Sequence, residues 1–142
     1  MTHKLSKAKS ILKESGCTLV LTDGENILSD TKRGVAPLIS LLNSNVSLSC
    51  YSAADKVVGA GAAFLYVLLN VQEIYASVIS ERAKEILLSH GVTLDYDTLV
   101  PFISNRAGDG VCPIESAVAD ARDAETALVL IRERLKELAE KK

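Results

Sequence analysis

A chain of 142 residues, 48% hydrophobic and 24% charged, has the length and apolar content to bury one core, which excludes a disordered polypeptide. Its 16 basic and 18 acidic side chains are mixed along the sequence and leave a formal net charge of -2, so no overall field recruits nucleic acid or an acidic membrane surface, and any anion site has to be local. The longest apolar run, VVGAGAAFLYVLL, falls short of the roughly 20 residues that cross a bilayer.

No linker, repeat or low-complexity segment interrupts the pattern, so residues 1–142 read as a single domain. At the N-terminus, Leu5, Ala8, Ile11 and Leu12 recur at helical spacing, and Gly16 is read as the C-cap. That segment is amphipathic and does not resemble a secretory leader. Cys17, Cys50 and Cys112 are odd in number with no paired spacing, which points to free thiols and a cytoplasmic protein. The stretch CTLVLTDGENILSD holds two short strand runs around Asp23-Gly24, a hairpin signal. TKRGVAPLISLLNSN is a loop feeding a helix from about Gly34 or Val35, because Pro37 is tolerated only in a first turn.

VSLSCYSA alternates and reads as a third strand. The next segment, ADKVVGAGAAFLYVLLN, reads as a helix with Asp55 as its N-cap. EIYASVIS is a buried strand, ERAKEILLSHG a helix closed by Gly91 with His90 at its C-terminus, TLDYDTLV a short strand, and PFISNRAGDGV a turn-rich loop. From Pro113 onward, Ile114, Val118, Ala121, Leu128, Ile131, Leu135 and Leu138 form one helical stripe. Strands alternating with helices predict a three-layer α/β/α domain on a mixed sheet, its first two strands antiparallel and the later ones parallel.

In such a sheet, ligands bind beyond the carboxyl ends of the strands, where helix N-termini attract phosphate or carboxylate. Three predicted helices open on polar or reactive residues: Lys32 and Arg33; Asp55 and Lys56; Cys112 and Glu115. Lys56 opposes the helix dipole at this position unless it partners an anion, or it is a plain surface lysine. Gly59 and Gly61 cost about 1 kcal/mol each in a helix interior, which close packing or a ligand approaching the backbone would offset. GAGAAF is no dinucleotide fingerprint, since its sixth position is Phe64. Cys112 is either a thiol acidified by a helix N-terminus or a small core residue; Glu115 occupies the capping-box position. Asn105 and Arg106, with Asp109, suit a surface loop or a ligand-contacting one.

His3 and His90 are the two histidines, and no Cys-x-x-Cys, His-x-Glu or Gly-Lys-Ser/Thr occurs, so no zinc, Walker loop or other cofactor is implied. An aromatic content of 4% argues against a base-stacking platform for single-stranded nucleic acid.

DKVVGAGAA and NRAGDGVCPIE resemble the two motifs of a small prokaryotic family of unknown function with a cytidine-deaminase-like fold, over nearly the whole chain. Deaminases of that fold hold zinc at two helix N-termini through His-x-Glu and Pro-Cys-x-x-Cys. The matching segments here, TKRGVAP and ADKVVG, carry neither the ligands nor the proton-moving glutamate. The resemblance thus implies a metal-free cleft for a nucleoside, nucleotide or other small anionic ligand, held by Lys32, Arg33, Asp55, Lys56, Asn105 and Arg106, with Cys112 and Glu115 in a site of the family's own. Two other classes stay open: an enzyme with Cys112 as nucleophile or attachment point and Glu115 or Asp55 as proton carrier, and a ligand-free interaction protein, its apolar surplus hinting at a homo-oligomer.

Overall fold

The computed structural model describes residues 2–32, 34–105 and 107–140. Helix α1 (His3–Glu14) starts on Thr2, whose hydroxyl accepts the Leu5 N–H at 3.2 Å, and ends on an extended Ser15 in place of Gly16. Strands β1 (Leu19–Thr22) and β2 (Ile27–Asp30) form the expected hairpin through a four-residue connection. There Asp23 accepts the N–H groups of Glu25 and Asn26 at 2.9 and 2.7 Å, while Gly24 takes φ +105°, a conformation that L side chains rarely adopt. Helix α2 (Ala36–Asn43) carries Pro37 in its first turn, as predicted.

Strand β3 (Ser52–Val58), helix α3 (Ala60–Leu68), strand β4 (Glu73–Ser80), helix α4 (Glu81–Ser89) and strand β5 (Thr93–Val100) follow in alternation. The sheet order is β2-β1-β3-β4-β5, with β1 antiparallel to both neighbours and β3, β4 and β5 parallel. Side chains alternate across it. On one face, Val20, Ala54 and Tyr75 meet Leu5, Ala8 and Leu12 of α1. On the other, Leu19, Leu21, Ala53, Ile74 and Ala76 join the core built by the remaining helices. The protein is therefore an α/β fold with helices on both faces of a mixed sheet.

One boundary differs from the sequence reading in a way that matters for the site. Residues 46–51 form a loop, leaving Cys50 exposed, and β3 continues through Asp55 and Lys56 to Val58. The reason is pairing on both sides: Asp55 lies opposite Leu19 of β1 and Ala76 of β4, and Val58 lies opposite Ile79. Ladder bonds and two β-branched valines outweigh any local preference of Asp55 to cap a helix. Asp55 and Lys56 are thus strand residues, and the unfavourable lysine at a helix N-terminus does not arise. Cys17 likewise precedes β1 and is half-buried.

The C-terminal stripe is also two helices, α5 (Pro113–Ala117) and α6 (Ala124–Glu140). Asp123 restarts the chain by accepting the Thr126 N–H at 2.7 Å, an N-cap bond. Val118 and Ala121 are buried although they lie between the helices, so the apolar spacing alone gives no sign of the break. Among the described residues, no helix is long and apolar enough to cross a membrane.

Helix α3 is buried nearly all round, and Gly61 explains how. A Cβ there would sit 2.5 Å from the Ile114 Cγ2 and 3.5 Å from the Ile131 Cδ1, so α5 and α6 approach the α3 backbone itself. Gly61→Ala is expected to lower stability by about 1–3 kcal/mol through overpacking. Gly16→Ala, whose Cβ would meet nothing within 4 Å, should leave stability unchanged or slightly raised. Urea denaturation of the two variants checks the contrast.

Candidate functional site

Helix α3 begins without a cap of its own. Its N-cap residue is Gly59, extended at φ −97° and ψ −179°, and it offers no side chain to the free N–H groups of the first turn. The cap comes from elsewhere: Glu115 of α5 accepts the Ala60 N–H at 2.9 Å through Oε2, across 55 residues of sequence. A carboxylate at the positive end of a helix is favourable on electrostatic grounds as well. Gly59 makes room for it, because a Cβ at that position would lie 2.5 Å from Oε1 of Glu115 and 3.1 Å from Cγ1 of Ile103. Glu115 therefore caps a neighbouring helix and not, as its capping-box spacing predicts, its own.

Segment 112–116 is fixed from several sides. Cys112 is the N-cap of α5, and its N–H donates to the Ile103 carbonyl at 2.9 Å. The Arg134 guanidinium of α6 donates to the Pro113 carbonyl at 2.8 Å and to the Ser116 hydroxyl at 3.0 Å. The Cys112 side chain is half-buried against the main core. Only five helical residues follow it, so little aligned dipole stands behind the thiol.

Between α5 and the carboxyl ends of β4 and β5 lies a pocket of about 310 Å³, walled largely by apolar atoms of Pro101, Phe102 and Val111, with Ser80, Arg82, Glu115 and Ser116 as polar members. This is the end of a parallel sheet at which α/β proteins bind ligands. Arg82 donates to the Ala121 carbonyl at 2.6 Å. Its Nε and the Glu115 Oε1 are buried with no hydrogen-bond partner among the described residues.

The other residues singled out from sequence are distributed differently. Asp55 is half-buried on β3, where its carboxylate accepts the Tyr66 hydroxyl of α3 at 2.6 Å and the Val57 N–H at 3.2 Å. Burial pushes its carboxyl up to about 6, against the pull of those hydrogen bonds. The Tyr66 phenol is pushed well above its ordinary range by burial and then by the Asp55 charge. Lys32 and Lys56 are exposed and bracket Thr18: the Thr18 hydroxyl donates to the Lys32 carbonyl at 2.7 Å, and the Lys56 N–H donates to the Thr18 carbonyl at 3.0 Å. Neither lines the pocket.

Asn105 closes its own loop, bonding Asp109 through Nδ2 at 3.0 Å and through Oδ1 at 3.2 Å. Arg33 and Arg106 lie outside the described residues. No group of three or more His, Cys, Asp or Glu among the described residues could hold a metal ion. At the two helix starts where the deaminase resemblance would put zinc ligands stand Val35 and Ala36, and Gly59 and Ala60, none of which fits a metal. Arg82 and Phe102 escaped sequence reading. The signal for Arg82 was its place just after a buried strand, at the start of the next helix.

The family model described as a domain of unknown function, DUF1893, matches residues 7–135. Among solved structures, the chain is similar to a DUF1893 family protein (TM1506) from Thermotoga maritima, with 27% identity and a TM-score of 0.85 over 96% of this chain and 91% of that one. No curated protein matches the sequence.

Gly59→Ala and Glu115→Ala are each expected to destabilise the fold by roughly 1–3 kcal/mol, the first by displacing the carboxylate and the second by leaving Ala60 uncapped. Because both act on one contact, the double variant should lose at least about 0.5 kcal/mol less than the sum. Additive losses in denaturant titrations would show that Gly59 and Glu115 act independently.

Proposed function

The chain belongs to the DUF1893 family, and we propose that it is a ligand-binding domain of cytidine-deaminase-like architecture that works without a metal and takes a small anionic ligand of the nucleoside or nucleotide class. The observation that carries this reading is the pocket at the ends of β4 and β5, which keeps an arginine and a glutamate, with Ser80 and Ser116, in a largely apolar wall. Its volume lies at the lower end of the range for small-molecule sites. Phe102 and Pro101 offer a flat apolar surface for a ring, and Arg82 is the cation within reach of a phosphate or carboxylate.

Strand order adds support for the architecture: an antiparallel hairpin at one edge leads into three parallel strands, with α3 starting where β3 ends. In a zinc deaminase, metal and glutamate activate water between two helix N-termini. Here a carboxylate of the chain itself caps α3, so the reading involves binding and positioning and assigns no hydrolytic step. The anion role that the sequence suggested for Lys56 passes to Arg82.

Calorimetric titration with a nucleoside monophosphate and the matching nucleoside tests it. The monophosphate is expected to bind more tightly, and Arg82→Ala to weaken it at least tenfold, about 1.4 kcal/mol, with little effect on the nucleoside. Phe102→Ala, at a half-exposed position, should weaken both ligands alike, and Lys56→Ala neither. No binding of either ligand, or a loss on Lys56→Ala in place of Arg82→Ala, would overturn the reading.

A further inference from the structure

The two edges of the sheet are unlike. On β5, Asp95 and Asp97 carry charge along the edge, paired with Lys9 and Lys13. On β2, at the opposite edge, Ile27 is 47% and Leu28 36% exposed, and no charged residue stands from Ile27 to Ser29. The Asp30 carboxylate is turned to its own backbone, accepting the Lys32 N–H at 2.8 Å. Ile27 lies opposite Thr22 and Leu28 opposite Leu21, so the two point to opposite faces and the edge is apolar on both. The Asp23 N–H donates to the Asn26 carbonyl and the Thr18 N–H to the Asp30 carbonyl. Even-numbered residues of β2 therefore bond to β1, and the N–H groups of Ile27 and Ser29 face outward. Beside this edge lies a groove of about 460 Å³, lined by leucines of the hairpin and by Pro37 and Leu41 of α2, with Asp30 and three serines as polar members.

We propose that β2 pairs antiparallel with β2 of a second copy of this chain, about a twofold axis at Leu28, joining the two five-stranded sheets into one. Charge selects this occupant. Antiparallel self-pairing sets the N-terminal flank of one β2 beside the C-terminal flank of the other. Those flanks carry Glu25 and Lys32, both exposed and outside the ion pairs of the described residues, so acid meets base twice. With the axis at Leu28, that leucine faces its own counterpart beside the two grooves, and Ile27 and Ser29 exchange the backbone bonds that β1 leaves unused. Asp30 then faces Asn26, and no two carboxylates are opposed. Moving the axis to Ser29 would set Leu28 against Asp30 instead. The pocket at the ends of β4 and β5 lies on the far side of the sheet from this seam and stays open in the dimer, whichever ligand it accepts.

Sedimentation equilibrium of the whole protein tests it, with far-UV circular dichroism to check that each variant is folded. The wild type is expected at twice its chain mass of 15.2 kDa. Ser29→Pro removes one outward N–H and leaves the β1 ladder intact, and Leu28→Lys puts a charge on the axis. Each should raise the dissociation constant at least about a hundredfold. Glu25→Lys should weaken the dimer, and adding Lys32→Glu should restore it. A wild type that stays monomeric at millimolar concentration would overturn the proposal. So would a dimer that neither Leu28→Lys nor Ser29→Pro disturbs, since its interface would then lie on another face.

Discussion

The first turn of a helix exposes N–H groups that its own backbone cannot satisfy, and in α3 that turn lies in the interior, where water cannot reach it. With glycine at the cap position, α3 depends on the Glu115 carboxylate for the Ala60 N–H. The same insertion presses Ile114 against Gly61, so adjacent residues of α5 fill adjacent glycine notches of α3. This contact places α5, and α5 together with the ends of β4 and β5 encloses the pocket. The two segments that carried the family resemblance, DKVVGAGAA and NRAGDGVCPIE, therefore meet in one contact, through Gly59, Ala60 and Gly61 of the first and Ile114 and Glu115 of the second.

Acids elsewhere in the molecule are treated in contrasting ways. Hydrogen bonds from neighbouring groups favour the charged forms of the half-buried Asp23 and the exposed Asp123, holding both below the ordinary carboxylate range. Asp97 is held low mainly by the Tyr75 hydroxyl, with Lys13 and Lys9 adding to it. Asp95 and Asp97 also place charge along β5, an edge strand, paired with Lys9 and Lys13 of α1, and charge on an edge discourages pairing with another chain. Asp55 is the opposite case, a carboxyl under a helix with a phenol and strand backbone for company.

The pocket beside α5 sets a cation from α4 and an anion from α5 among proline, valine and phenylalanine. Glu115 serves both features: one carboxylate oxygen caps α3, and the other, with the Arg82 Nε, is buried without a hydrogen-bond partner among the described residues.

Much of the architecture was legible in the amino-acid order. Alternating strand and helix segments, Asp23-Gly24, Pro37, Gly91 and Pro113 fixed the element sequence, because turn and cap chemistry is local. The small face of Gly59 and Gly61 signalled close packing for the same reason: absence of a Cβ has few uses. The end of β3, the break before Asp123, the partner of Glu115 and the placement of Asp55 against Tyr66 were decided only by tertiary structure. Each depends on a neighbour far along the chain: β1 and β4 on either side of Asp55, α3 beside Glu115, the common core over Val118 and Ala121. Periodicity records which residues are buried, but burial by distant elements looks the same in sequence whether the backbone beneath is strand, helix or a turn between two helices.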